Sequence, residues 1–137
     1  MKFGEQEIQL LNALRSISRV EAKDCLVLDK TISFVVEEGK IGQAIGKGGQ
    51  NIKKLEETFK KRIEIVEFRE KPENFLAGAF SNIKFNGFEF SQNGEQKKVL
   101  VAKTDQENKR KLLNSTGKLK RMKELLERNF DIADVKI

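Results

Sequence analysis

Apolar residues recur at helical spacing near the start of the chain, where Ile8, Leu11, Leu14 and Ile17, with Leu10 beside them, predict a helix over residues 5–18. The pattern then changes period. Cys25-Leu26-Val27-Leu28 is a continuous apolar run that reads as a buried strand, and over 31–37 Ile32, Phe34 and Val36 alternate with Thr31, Ser33 and Val35. Asp29-Lys30 would join the two strands as a tight hairpin, although it lacks the glycine such turns favour. Glu37-Glu38-Gly39 breaks the second strand, and Lys40 to Ile45 fits one or two helical turns. After Gly46-Lys47-Gly48-Gly49 the helical period returns in Ile52, Leu55 and Phe59, and Arg62 to Phe68 alternates again as a strand.

A polar connector at 69–74 holds the single proline, Pro72, and predicts a boundary between units 1–70 and 71–137. Beyond it the order recurs. Asn74 to Phe80 suits a short helix, Ile83 to Phe90 a strand with a bulge at Asn86-Gly87, and Asn93-Gly94 a two-residue hairpin turn into a strand over Lys97 to Lys103. Asp105 can cap a helix over 106–113. Asn114-Ser115-Thr116-Gly117 reads as a break, Leu119, Met122, Leu126 and Phe130 form a helical stripe, and Asp131 to Ile137 closes as a strand. Ile52, Leu55, Phe59, Ile63 and Ile65 recur at the same spacing as Leu119, Met122, Leu126, Phe130 and Ile132. The expectation is an α+β chain built from one unit used twice, each with a three-stranded sheet packed on helices. A unit of about 65 residues is small for a core, so packing between the halves is expected.

Charge turns this scaffold toward a polyanion. Lys and Arg number 27 against 21 Asp and Glu, a net charge of +6, which suits nucleic acid or an anionic membrane. No apolar run approaches the roughly 20 residues of a spanning helix. The start, Met1-Lys2-Phe3-Gly4-Glu5, lacks a signal-peptide core, so a cytoplasmic, membrane-free protein is expected, and separately a monomer. With no histidine and a single cysteine, the usual general base and zinc ligands are missing. No metal and no cofactor are expected, and Cys25 reads as a core filler. Trp and Tyr are absent too, so base stacking would fall to Phe or aliphatic groups.

The candidate chemistry lies in the glycine cluster. Without Cβ atoms the backbone can turn tightly and admit a ligand closely. The helix that follows points its free N–H groups and positive dipole end at that ligand, which favours phosphate. Lys47 adds a mobile charge at the tip, Lys53 a second one, and Ile41, Ile45 and Ile52 supply an aliphatic floor for bases. A nucleotide P-loop needs four residues between its glycines and a Ser or Thr after the lysine. Here Gly42 and Gly46 are separated by three, and Gly48 follows Lys47. A bare glycine turn between helices is the bland alternative, and Gly42, Gly46, Gly48 and Gly49 set among Lys40, Lys47, Lys53 and Lys54 weigh against it.

Ile45-Gly46-Lys47-Gly48-Gly49-Gln50-Asn51-Ile52 resembles the I-G-x-x-G-x-x-I signature of KH domains, whose GXXG loop clamps about four nucleotides of single-stranded RNA. Two strands before the loop and one after resemble the type II arrangement, α-β-β-α-α-β. Two such units in tandem are similar to the archaeal NusA-type transcription termination and antitermination proteins. Phe34 to Gly39 running into Ile41 to Gly46 is especially similar. The resemblance implies RNA binding by Ile41, Gly42, Ile45, Gly46, Lys47, Gly48, Gly49, Asn51, Ile52 and Lys53. It implies RNA polymerase or the ribosome as further partners.

The second unit departs from the motif, with Asn114-Ser115-Thr116-Gly117 where a GXXG would stand. Its charge is denser. Lys109, Arg110, Lys111, Lys118, Lys120, Arg121 and Lys123 occur within 108–123 without an acid, and all of these but Lys123, with Ser115, form a second candidate basic surface. A charge run is often only a solvated helix face. The expected division is clamping by the first unit and a looser electrostatic grip by the second. Glu37-Glu38 and Glu56-Glu57 do not face one another as neighbours on a strand or helix, which argues against acid–base catalysis. The rival to RNA binding is a polymerase- or ribosome-docking module with a vestigial loop. An enzyme is not expected.

Overall fold

The computed structural model describes residues 3–137, which divide into two compact units between Arg69 and Glu70. The first runs α1 (Glu5–Ser18), β1 (Ala22–Leu28), β2 (Thr31–Val36), α2 (Ile41–Ile45), α3 (Gln50–Phe59) and β3 (Arg62–Glu67). Helix α1 stops where Arg19 takes a left-handed conformation, φ 63°. Ser18 holds that end by donating its hydroxyl to the Leu14 carbonyl at 2.7 Å and accepting from the Val20 N–H at 3.1 Å. Strands β1 and β2 are antiparallel and pair Leu28 with Thr31 across a two-residue turn. Asp29, at φ 57°, supplies the left-handed position that a glycine usually fills.

Strand β3 pairs in parallel with β2, giving the order β1-β2-β3. The parallel pairing requires a crossover, which α2 and α3 provide. All six residues of the central strand β2 are buried. Leu10 and Leu14 from α1, Cys25 from β1, Ile32 and Phe34 from β2, Ala44 from α2, Leu55 from α3 and Ile63 from β3 form the core. Cys25 is fully buried within it, as expected of a core filler.

The second unit runs α4 (Pro72–Ala79), β4 (Gly87–Gln92), β5 (Lys98–Lys103), α5 (Gln106–Asn114), α6 (Thr116–Phe130) and β6 (Asp134–Lys136), with sheet order β4-β5-β6. Several boundaries differ from the sequence reading, each for a local reason. Pro72 opens α4 instead of sitting in the connector, because its fixed φ and missing N–H suit the first helical position. Residues 83–86 are not strand. Ile83 turns back to donate to the Phe80 carbonyl, and Lys84 donates its N–H to the Asn108 side chain at 2.9 Å, so pairing with β5 begins only at Asn86, whose N–H donates to the Lys103 carbonyl at 2.7 Å.

The Asn93-Gly94 turn is longer than two residues. Asn93 pairs with Lys97, its side chain accepts the N–H groups of Glu95 and Lys97, and Gln96 rather than Gly94 takes positive φ. This is a three-residue loop, in which an Asx interaction replaces the type I′ geometry. Phe130 ends α6 and packs its ring on Phe75 at 5.4 Å, so the repeat spacing that aligned it with Ile63 of a strand fails there. Asp131, at φ 57°, closes the helix, and the last strand shrinks to Asp134–Lys136.

Candidate nucleic-acid interface

The Gly46–Gly49 loop is shaped by three positive φ angles within four residues. Gly46 adopts φ 81°, ψ 166°, a region open essentially to glycine alone. Gly48 (φ 63°) and Gly49 (φ 76°) are left-handed. A Cβ on Gly46 would also lie 2.7 Å from the Asn51 side chain, so that glycine is required twice over. Nothing lies within 4 Å of a Cβ placed on Gly42, Gly48 or Gly49, which face open space.

The loop is held from behind. Asn51, on the first turn of α3, is buried and donates its side-chain amide to the Gln43 carbonyl at 3.1 Å. Gln43 in turn donates its own side-chain amide to the Ser18 carbonyl at 3.2 Å, tying α2 to the end of α1. Asn51 therefore positions the loop from inside. Gln43 belongs to the same brace, and no feature of the sequence marked it, because its partners lie on two other helices. The entry to α2 is anchored as well. Glu67 accepts the Gly39 N–H at 2.9 Å, and Arg69 bridges Glu67 and Glu38.

With the loop so held, the amides of Lys47 and Gly48 donate to no carbonyl among the described residues. They stand at the head of α3, whose dipole adds positive potential. Lys47, Lys53 and Lys54 are exposed and form no ion pair among the described residues, as does Lys40. Ile41, Ile45 and Ile52 are half-buried, and Ile41 and Ile52 also pack on the core. The fold thus gathers bare amides, mobile cations and an aliphatic surface on one helix–loop–helix. That combination suits a chain of phosphates carrying bases.

The corresponding joint in the second unit is closed. Between α5 and α6 only Ser115 departs from helical geometry, at φ −96°, ψ 47°. The N–H of Leu119 donates to the Ser115 carbonyl, and Gly117 lies inside the first turn of α6. The four-residue break read from Asn114 to Gly117 is therefore not a loop. Nor is the charge run acid-free in space. Lys111 pairs with Glu107 at 3.9 Å and Lys123 with Asp134 at 3.3 Å, while the Lys118 ammonium lies 5.2 Å from the Phe80 ring centroid. Arg121 is half-buried, and Lys120 is exposed. Lys109 and Arg110 stand apart on the outer face of α5, beside exposed Leu113. Asp105 caps α5 by accepting the Asn108 N–H at 2.8 Å, and that hydrogen bond holds its carboxyl below the ordinary value.

No cluster of three or more potential metal ligands occurs among the described residues, and no described helix is long and apolar enough to cross a membrane. A KH domain model matches residues 12–84. The whole chain is 30% identical over 138 aligned residues to the probable transcription termination protein NusA of Methanocaldococcus jannaschii, covering 75% of that protein. It is likewise 30% identical to the probable transcription termination protein NusA of Halobacterium salinarum, covering 98% of it. The crystal structure of APE1850 superposes with a TM-score of 0.88 at 28% identity, over 98% of this chain and 99% of that one.

Proposed function

This chain belongs to the KH-domain family, and on that premise we propose that it binds single-stranded RNA at the Gly46–Gly49 loop, without catalysis, as a cytoplasmic transcription termination or antitermination factor. The observation that carries the reading is the pair of unpartnered amides at Lys47 and Gly48, presented by left-handed glycines at the head of α3. Phosphates lie against those amides and Lys47, and bases lie on Ile41, Ile45 and Ile52. Gly42 leaves the approach open, and Lys53 adds charge on the next turn. The second unit, read as a further KH domain without a clamp, adds affinity through Lys109, Arg110 and Lys120.

Gly48→Asp tests the reading. An aspartate tolerates the left-handed conformation and meets no neighbour, so folding changes by no more than about 1 kcal/mol. Its carboxylate would face the bound phosphate, and affinity for single-stranded RNA should fall roughly a hundredfold or more. Unchanged binding by a folded Gly48→Asp protein removes the loop from the site. The closed Ser115 joint favours a second reading for that half, a docking surface for RNA polymerase or the ribosome. Capture of purified polymerase by a protein with no affinity for any RNA pool would transfer the function there.

A further inference from the structure

At the end of α3 remote from the glycine loop, four cations converge from three elements. Lys30 comes from the β1–β2 turn, Lys60 and Lys61 follow the last turn of α3, and Arg62 opens β3. They line a surface hollow together with Asp29, Thr31 and Glu56. The parallel register places Thr31 beside Arg62, and the Arg62 N–H donates to the Lys30 carbonyl at 3.0 Å. Lys30 is thereby held next to Lys61 and Arg62. None of the four cations forms an ion pair among the described residues, although Asp29 and Glu56 share the hollow.

The dipole of α3 accounts for part of this. Its C-terminal end carries partial negative charge, which favours Lys60 and Lys61. It does not account for Lys30 and Arg62, which arrive from the sheet and set like charges side by side, an unfavourable pairing. Lys60 itself closes α3 in the left-handed conformation, φ 56°, as Arg19 closes α1. Exposed, mutually repelling cations with no internal partner favour an external anion.

We propose that this hollow is a second backbone contact for the RNA held at the glycine loop, engaged by nucleotides beyond those the loop clamps. The inference rests on the loop reading under Proposed function. The ten residues of α3 separate the two places by about 15 Å. An RNA of about four nucleotides satisfies the loop, and a longer one reaches both.

The test compares mixed-sequence RNAs of about four and about twelve nucleotides, using the full chain and a triple variant, Lys30→Gln, Lys60→Asn and Arg62→Gln. All three side chains are exposed, so an unchanged thermal midpoint verifies the fold. The expected result is normal affinity for the short RNA and a tenfold or greater loss for the long one. The salt dependence for the long RNA, plotted as log K against log salt, should flatten by about 2, near 0.7 for each lost phosphate contact. Equal affinity of variant and parent for both RNAs overturns the proposal, and so does an equal loss on both, which would mark a general field effect. If the triple variant instead loses only binding to a poly-glutamate peptide, the hollow takes acidic protein and the RNA assignment fails. A parent protein that binds neither RNA sinks the loop reading itself, and this one with it.

Discussion

Unit one and unit two run the same order of helices and strands, yet they join their paired helices in opposite ways. In the first, a five-residue helix stops at Gly46 and a ten-residue helix begins at Gln50, with three positive-φ glycines between. In the second, a nine-residue helix meets a fifteen-residue helix at Ser115 alone. The first joint presents its free amides on an open glycine loop, whereas the second passes from helix to helix at Ser115, whose N–H donates to Leu112 and whose carbonyl accepts from Leu119. A loop that binds must be kept from continuing the helix, and glycines in conformations no helix uses do that. Where they are lost, the two helices run on almost without interruption, and no open glycine loop is left for a ligand's backbone to approach.

Breaking the first joint should have the largest effect. In Gly46→Ala, the new methyl group meets Asn51 at 2.7 Å in a conformation reserved for glycine. A loss of about 2–4 kcal/mol is expected in denaturant unfolding, from strain plus a displaced buried amide. RNA affinity should fall with it, and a stability equal to the parent's would show that the loop relaxes freely. A smaller effect sharpens the contrast. Replacing Lys109, Arg110 and Lys120 by Gln should weaken RNA binding roughly tenfold at low salt and hardly at all at high salt, because exposed charges act through a screened field. A loss that persists at high salt would mean a directed contact in the second unit.

The smallest expected effect concerns the cap of α5. Asp105 is held below its ordinary value of 3.8, first by the Asn108 backbone hydrogen bond and then by the Asn108 side chain. A carboxyl with a lowered folded value stabilises the fold fully above its unfolded value, and that contribution fades as pH falls through the folded one. Asp105→Asn should therefore lower the thermal midpoint slightly at neutral pH and remove a small part of the acid-side decline below about pH 4. A midpoint profile superimposable on the parent's at every pH would show that the cap contributes nothing.

Much of the candidate site was legible because its signal is local. Gly46-Lys47-Gly48-Gly49 needs unusual backbone angles whatever surrounds it, and the apolar stripe of Ile52, Leu55 and Phe59 marks the helix that follows. The hidden parts depended on partners far away in the chain. Nothing in the sequence marked the bond from the Asn51 amide to the Gln43 carbonyl, or the tie from Gln43 to Ser18. Residues 83–86 read as strand because Ile83 and Phe85 alternate, but Asn108 claimed the Lys84 N–H. The run from Lys109 to Lys123 read as acid-free because Glu107 and Asp134 lie outside it in sequence and beside it in space.

By itself the sequence determined the period of each segment, the order of elements and the position of the glycines, because apolar spacing and backbone freedom are properties of neighbouring residues. Tertiary structure decided which amides stay without partners, which lysines are neutralised, and that Lys30 meets Lys61 and Arg62 at the far end of α3. Those outcomes follow from register between strands and from helix packing, where residues distant in the chain satisfy one another or fail to.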